Sequence, residues 1–386
     1  MTSIFKHGIA RATELTRSGK LMEATDLIQS LLRGEDAAPL PDATPNQGVI
    51  EGEFTRLDGS APKRDHKPKR PATKGAARSG LGEALRKIAA GGMPARGPLA
   101  DAGQMPAGAQ FHALTHTSAK GSLEYRLYIP AAKATAPMPL IVMLHGCTQT
   151  PEDFATGTGM NALAEEFGVI VAYPAQPTGA NAQKCWNWFR PEDQSRGKGE
   201  PARFAALANE IRANHQVDPT RIYIAGLSAG AAAALVTAAA YPDVFSAVGA
   251  HSGLPAGSAR DVASAFSAMR SGGQGRPHKT SVPTIVFHGT ADGTVHPGNA
   301  AAVIAQAIGA MPALETTVET GRSDGGRGFN KTVYVTQTGR PMAELWEIDA
   351  AGHAWAGGAP GASYTDPLGP DASRHMLRFF LAQDTA

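Results

Sequence analysis

The serine of Gly226-Leu227-Ser228-Ala229-Gly230 is the strongest candidate for chemistry in this chain of 386 residues. An apolar segment, RIYIA, precedes the motif, and an alanine-rich segment follows it. A G-x-S-x-G motif between a strand and a helix places its serine on a sharp turn above the sheet, where the hydroxyl can act as a nucleophile. The alternative is an ordinary capping serine. The strand–turn–helix context favours the nucleophile.

A nucleophilic serine needs a base, and the base needs an orienting carboxylate. In α/β folds that carry a catalytic serine on such a turn, the acid and the histidine come later in the chain, each directly after a strand. Asp292 follows the apolar segment TIVF, and His353 lies in a glycine-rich loop after ELWEI. We therefore predict the set Ser228, Asp292 and His353. Taken singly, Asp292 and His353 would be ordinary polar loop residues.

Other polar residues near these positions fit the two roles less well. Asp349 is too close to His353 in sequence and is expected to cap its strand. His288 and His296 flank Asp292 and are expected at most to line the pocket, while His251 is expected to be structural or a pocket wall.

An oxyanion hole requires two backbone N–H groups. One is expected from Ala229, at the start of the helix that follows the serine. The second is expected from Cys147, in the loop His145-Gly146-Cys147 after the buried strand LIVML. His145 is interpreted as a buried support for this loop rather than as a base.

The two cysteines of the chain are Cys147, in the oxyanion loop, and Cys185, in AQKCWNWF. A disulfide between them would fix the oxyanion loop to the segment of Trp186 and Trp188, and two buried free thiols are the alternative. Trp186, Trp188 and Trp355 are predicted near the pocket edge. They form either an apolar surface that stacks on substrate or ordinary aromatic core.

These residues must be positioned by alternating strands and helices from about residue 106 onward, the pattern of an α/β fold with a mostly parallel sheet and helices on both faces. We predict one catalytic domain over residues 106–386. The predicted strands are Leu123–Ile129, Leu140–Leu144, Val169–Tyr173, Arg221–Ala225, Phe245–Ala250, Thr284–His288 and Glu344–Ile348. The predicted helices include Asn161–Glu166, Arg203–His215, Ala229–Ala240 and Ser373–Leu381.

The first 105 residues differ in composition from the rest of the chain. Apolar residues spaced by three and four predict a helical hairpin over residues 1–34. Residues 35–105, rich in proline, glycine and charge, are predicted to be a flexible basic linker. The hairpin either docks on its own domain, mediates dimerisation or targets the protein, for example to a hydrophobic polymer surface.

Composition excludes several classes of function. The net charge is only +2, and the basic run Lys63–Arg78 contains no aromatic residues that could stack on bases. Both observations argue against nucleic acid binding. No H-E-x-x-H, C-x-x-C, Walker or dinucleotide-binding motif is present, so we expect neither a metal nor a cofactor. The longest apolar-looking run, Ala231–Ala240, is too short to span a bilayer. The N-terminus lacks the pattern of a signal peptide, which favours the cytoplasm.

Five ordered segments, LHGCTQTPEDF, CWNWF, IAGLSAG, HGTADGTV and GHAWAGG, resemble the polyhydroxybutyrate depolymerase family of esterases. This family is related to bacterial feruloyl and acetylxylan esterases. The resemblance covers residues 106–383 and implies an α/β-hydrolase fold with Ser228 as nucleophile, Asp292 as acid and His353 as base. It further implies ester hydrolysis through an acyl-enzyme, with short-chain 3-hydroxyalkanoate polymers or oligomers as substrates.

Secreted polymer depolymerases of this family carry a signal peptide and a C-terminal substrate-binding domain, and neither is expected here. This departure favours intracellular polymer, oligomers or a small ester, and leaves extracellular action as the alternative. A feruloyl or acetylxylan esterase is the nearest alternative function, and a peptidase of the same fold is a weaker one. A polymer-granule binding protein, with affinity in residues 1–105, is the alternative from another class. The sequence leaves the oligomeric state open.

Overall fold

The computed structural model describes residues 105–385 except for residues 133–135, 277–280, 310 and 312. The strands are β1 (Gln110–Ser118), β2 (Gly121–Ile129), β3 (Met138–Leu144), β4 (Ile170–Pro174), β5 (Val217–Leu227), β6 (Ala247–His251), β7 (Thr284–Gly289), β8 (Glu315–Arg322), β9 (Gly328–Val335), β10 (Pro341–Ile348), β11 (Trp355–Ala356) and β12 (Thr365–Asp366). The helices are α1 (Pro151–Thr158), α2 (Met160–Phe167), α3 (Gly199–Asn214), α4 (Ala229–Ala240), α5 (Val262–Ser271), α6 (Gly298–Ile308) and α7 (Ala372–Leu381).

Ten of the strands form a single mixed sheet in the order β1-β2-β4-β3-β5-β6-β7-β10-β9-β8. The six central strands, in the order β4-β3-β5-β6-β7-β10, are all parallel to one another, and antiparallel strands flank them on both sides. Strands β11 and β12 form a separate short parallel pair. Parallel strands end at the same edge, so the loops after β3, β5, β7 and β10 meet at the carboxyl edge of the sheet.

The core lies on both faces of this sheet, because side chains alternate along each buried strand. In β3, Leu140 and Val142 pack on the face covered by α3, α4 and α6, while Ile141 and Met143 pack on the face covered by α1, α2 and α7. Helix α4 is buried over most of its length and is made largely of alanine, so it lies close to the sheet directly behind Ser228.

The seven predicted strands and four predicted helices all correspond to elements of the structure. The predictions missed three helices (α1, α5 and α6) and the strands β1, β8 and β9, besides the two-residue strands β11 and β12. Strand β8 is exposed along almost its whole length, with Val318 68% exposed. A strand without a buried face shows no apolar alternation, so its sequence carries no signal of period two.

The predicted hairpin over residues 1–34 and nearly all of the predicted linker over residues 35–105 lie outside the described residues. Within the described part of the chain, no helix is long and apolar enough to cross a bilayer.

Candidate active site

Ser228 lies on the turn between β5 and α4, in a backbone conformation that non-glycine residues rarely adopt (φ 57°, ψ −119°). The flanking glycines allow this turn to pack against the end of β3. A Cβ atom on Gly226 would lie 2.6 Å from the carbonyl oxygen of Leu144, and one on Gly230 would overlap the same oxygen. Only glycine therefore fits at these two positions, and the side chain of Ser228 is held at the carboxyl edge.

Asp292 and His353 are brought together because β7 and β10 are adjacent parallel strands. Asp292 lies in the turn after β7 and is buried, and His353 lies in the loop after β10. The Nδ1 atom of His353 donates a hydrogen bond to Asp292 Oδ2 over 2.7 Å. The other carboxylate oxygen accepts from the backbone N–H groups of Thr294 and Val295, both at 2.9 Å. The carboxylate is thus held rigidly against the imidazole.

The surroundings of Asp292 keep it ionised. Burial alone would raise the pKa of the Asp292 carboxyl, but the adjoining His288 and the hydrogen bonds from His353 and from the Val295 N–H outweigh it and hold the pKa well below its usual range. His288 lies 3.4 Å from Asp292 Oδ2 and donates through Nε2 to the carbonyl of Val295. An ionised carboxylate at this distance fixes the imidazole tautomer and stabilises the protonated form of His353.

His251, at the end of β6, connects the serine turn to the loop that carries His353. Its carbonyl accepts from the Ser228 N–H over 2.9 Å, and its Nε2 accepts from the Ala356 N–H over 3.0 Å. The ring stacks on Phe287 and Trp355, and burial, with the nearby His288 and His353, lowers its pKa to about 3. His251 is therefore a neutral residue that connects the two loops.

No hydrogen bond joins the Ser228 hydroxyl to His353 within the described residues. In enzymes with a nucleophilic serine, such contacts often tighten only when substrate binds.

The predicted oxyanion loop follows β3 and lies beside the first turn of α4. The backbone N–H groups of Cys147 and Ala229 donate no hydrogen bond to any of the described residues. Both groups are thus available to an oxygen that develops negative charge near Ser228. His145 is buried within this loop: its Nδ1 donates to the carbonyl of Gly146 over 2.7 Å, and its Nε2 accepts from the backbone. Burial lowers the pKa of His145 to about 4, so the ring is neutral and supports the loop.

The two cysteines form a disulfide, Cys147–Cys185, with a distance of 4.2 Å between their Cα atoms. A hydrogen bond of 2.7 Å from the Thr148 N–H to the carbonyl of Gln183 runs beside it. The oxyanion loop is therefore attached to the segment after β4 by a covalent bond and a backbone hydrogen bond. Of the two alternatives that the sequence left open, the structure contains the bridge.

Comparison with known proteins identifies the family. The family model described as esterase PHB depolymerase matches residues 123–323, which is more than half of the chain. The chain belongs to this family. The resemblance drawn from its five motifs is therefore confirmed.

Among curated relatives, the chain is 35% identical over 247 residues to a poly(3-hydroxyalkanoate) depolymerase C of Paucimonas lemoignei, covering 60% of this chain and 58% of that protein. It is 29% identical over 279 residues to a poly(3-hydroxybutyrate) depolymerase of Ralstonia pickettii, covering 64% and 55%. A feruloyl esterase B of Neurospora crassa is 32% identical over 190 residues, covering 44% and 64%. The chain thus spans little more than half the length of the two depolymerases.

The solved structure of an acetyl xylan esterase from Aspergillus awamori superposes with a TM-score of 0.56 at 19% identity, covering 71% of this chain and 99% of the other. At this level of identity the likeness concerns the fold alone. It confirms the α/β-hydrolase fold, with a mixed, mostly parallel central sheet, expected from the resemblance.

A buried carboxylate that the sequence reasoning missed supports the predicted oxyanion loop. Glu200, in the first turn of α3, is 1% exposed. Its carboxylate accepts from Gln176 Nε2 at 2.6 Å, from the Asn187 N–H at 2.8 Å and from Asn187 Nδ2 at 3.0 Å. Gln176 also donates through Nε2 to the carbonyl of Cys185 and through its backbone N–H to His145 Nε2. Glu200 thus anchors both segments that hold the loop.

Burial, and secondarily the charge of Asp193, raises the pKa of the Glu200 carboxyl to about 7. No local motif could have revealed Glu200, because its partners are 13 and 24 residues away in sequence and lie on other elements.

The three tryptophans predicted at the pocket edge are all buried, with exposed fractions of 0%, 4% and 1% for Trp186, Trp188 and Trp355. The indole N–H of Trp186 donates to the carbonyl of His145, and that of Trp355 donates to Ser373 Oγ. A side chain without exposed surface offers no face on which a substrate could stack. The structure therefore corrects the expectation of substrate contact and favours aromatic core, packed beneath the oxyanion loop and behind His251.

The remaining histidine candidate, His296, contacts the start of a helix. His296 is exposed, and its Nδ1 accepts from the Gly298 N–H at the start of α6. Within the described residues, no group of histidine, cysteine, aspartate or glutamate side chains could hold a metal ion.

Proposed function

We propose that the protein is a serine esterase that hydrolyses short-chain 3-hydroxyalkanoate polyesters or their oligomers through Ser228, Asp292 and His353. The observation that carries the mechanism is the hydrogen bond of 2.7 Å between His353 Nδ1 and Asp292 Oδ2, at the same edge of the sheet as the strained turn of Ser228. The substrate class is supported by the similarity to two poly(3-hydroxyalkanoate) depolymerases.

The chemistry follows from these positions. Because His353 Nδ1 donates to Asp292, its Nε2 is free to take the proton of the Ser228 hydroxyl as Oγ attacks the ester carbonyl. The N–H groups of Cys147 and Ala229 stabilise the oxyanion, and loss of one such donor typically costs about 10²- to 10³-fold in kcat. The imidazolium then protonates the leaving alcohol. Water, activated by the same ring, hydrolyses the acyl-enzyme and releases the acid.

A carbohydrate esterase that removes feruloyl or acetyl groups is the second candidate. The similarity to a feruloyl esterase B over part of its length favours it, and the proposed mechanism is the same. The two candidates differ only in the acid and alcohol that they accept.

A substrate panel separates them. Purified full-length protein and its Ser228→Ala variant are incubated with 3-hydroxybutyrate oligomers, amorphous polymer, methyl ferulate and acetylated xylan. Serine-dependent release of 3-hydroxybutyrate is the expected result. Release of ferulate or acetate alone would keep the mechanism and replace the substrate, whereas undiminished turnover by Ser228→Ala would overturn the assignment of the nucleophile.

The disulfide bears on the compartment. Disulfides persist mainly in oxidising environments, so Cys147–Cys185 supports action outside the cytoplasm over the cytoplasmic location expected from the N-terminus. Thiol titration of the denatured protein, isolated from its own cells under alkylating conditions, tests this. No titratable thiol is expected, and two thiols per chain would support a cytoplasmic location.

Granule binding through residues 1–105 stays a prediction. Deletion of these residues should abolish granule association and leave the turnover of soluble esters unchanged.

A further inference from the structure

Backbone strain in this esterase is concentrated near the candidate active site. Six non-glycine residues among those described have positive φ: Thr148, Lys184, Ser228, Ser252, Ala350 and Tyr364. Five of them lie in loops that directly follow central parallel strands, at the carboxyl edge, and Tyr364 lies between β11 and β12, in the segment after β10. Such conformations are energetically unfavourable and persist only where the surrounding structure enforces them. The proposed mechanism accounts for Ser228, whereas it gives no role to Thr148 or Tyr364.

Tyr364 combines strain with exposure. Its φ is 54°, and 41% of the residue is exposed. Its carbonyl accepts from the Trp355 N–H over 2.7 Å, so it is bound to the loop of His353. Its hydroxyl lies 3.4 Å from Oγ1 of Thr148, which is exposed, has a φ of 68° and directly follows Cys147. An exposed aromatic ring and two hydroxyl groups thus border the oxyanion loop.

The segment around Tyr364 is fastened in place. The Ser363 N–H donates to Asp153 Oδ1 over 3.2 Å, and Gln149 Nε2 donates to the carbonyl and the hydroxyl of Ser363. Gln149 is buried, and its Oε1 accepts from the Gly146 N–H over 2.9 Å. One amide side chain therefore holds the oxyanion loop and the Tyr364 segment together. A segment fixed in this way loses little conformational freedom when a ligand packs on it.

We propose that Tyr364 and Thr148 form a subsite for the part of an aliphatic polyester chain that adjoins the scissile ester, an inference that rests on the function proposed above. Each repeat of such a chain presents apolar carbons and a carbonyl acceptor, and its interior carries no hydrogen-bond donor. The tyrosine ring supplies an apolar face, and the hydroxyl pair, in which one proton can bridge the two oxygens, supplies a donor. The subsite contacts repeats beyond the reacting carbonyl, so it acts only on substrates longer than a simple acetyl ester.

The variants Tyr364→Ala, Tyr364→Phe and Thr148→Val test this proposal. The quantity compared is kcat/KM for a 3-hydroxybutyrate trimer and for p-nitrophenyl acetate. Tyr364→Ala is expected to lower kcat/KM for the trimer on the order of tenfold and to change that for the acetate less than about twofold. Tyr364→Phe, which keeps the ring, and Thr148→Val are expected to lower trimer turnover by about two- to fivefold.

Phe167→Ala is the matched control. Phe167 is exposed to a similar extent (39%) but ends α2, directly before the start of β4, and thus lies at the opposite edge of the sheet. Its removal is expected to leave both substrates unaffected. Unchanged trimer turnover in Tyr364→Ala, or equal losses on both substrates in all three test variants, would overturn the subsite. Absence of trimer turnover in the wild type would overturn the proposed function instead, together with the subsite that depends on it.

Discussion

Replacing Glu200 with glutamine should change how the stability of this protein depends on pH. The pKa of the buried carboxyl is raised from 4.5 to about 7, so between these values the folded protein binds more protons than the unfolded chain. The stability associated with Glu200 is therefore fully present below the unfolded pKa of 4.5 and is lost as the pH rises through about 7. Glutamine does not titrate and lacks this dependence.

The size of the effect follows from the shift. Each pKa unit corresponds to about 1.4 kcal/mol, so a shift of roughly 2.5 units predicts a change of about 3 kcal/mol. The stability of the wild type minus that of Glu200→Gln should fall by this amount between pH 4 and pH 8. Other titrating groups largely cancel in this difference. Asp193, whose charge contributes to the raised pKa of Glu200, is present in both proteins.

Urea unfolding at several pH values measures the difference. Glu192→Gln removes an exposed carboxylate from the turn just before α3 and controls for the loss of one negative charge. A stability difference that is independent of pH, or one that grows with pH in favour of the wild type, would refute the reasoning from burial. In that case the network under the oxyanion loop would have to be held by a permanently charged carboxylate.

Three further variants test the active site. Asp292→Asn is expected to lower kcat by about 10³- to 10⁴-fold with little change in KM, because His353 loses the partner that fixes its tautomer; steady-state kinetics with a soluble ester measures this, and a loss below tenfold would contradict it. Replacing both Cys147 and Cys185 with serine should reduce stability by about 4 kcal/mol for a loop of 38 residues, measured by urea unfolding, and should lower kcat. An unchanged kcat would show that the backbone hydrogen bonds alone position the loop. Gly230→Ala should abolish activity or folding, since its Cβ would overlap a carbonyl oxygen at the end of β3; circular dichroism separates the two outcomes, and near-normal turnover would contradict the packing assigned to this turn.

Much of the candidate site could be predicted because its parts follow strands that the sequence reveals. The segments before Ser228, Asp292 and His353 are apolar enough to be recognised as buried strands. In a parallel sheet, residues directly after such strands meet at one edge. The proximity of Asp292 and His353 therefore follows from their position in the chain, although they are 61 residues apart.

The predictions failed where a residue's environment depends on other elements. Composition could not decide whether Trp186, Trp188 and Trp355 face a substrate or the core, since an indole suits both places, and the structure buries all three. In the sequence, Glu200 cannot be distinguished from any other glutamate at the start of a helix. Only the packed structure places it against Gln176 and Asn187.

The sequence alone therefore predicted seven of the twelve described strands, the glycine-flanked turn of Ser228 and the family, because these features depend on local patterns of apolar residues, glycines and motifs. Tertiary structure decided which charged side chains are buried, whether the two cysteines form a disulfide and which aromatic ring stays exposed. Tyr364 is such a ring, since its exposure and its contact with Thr148 arise between segments 216 residues apart. Burial and long-range contact are properties of the packed chain, and they set the pKa values, the rigidity and the accessible surface on which catalysis depends.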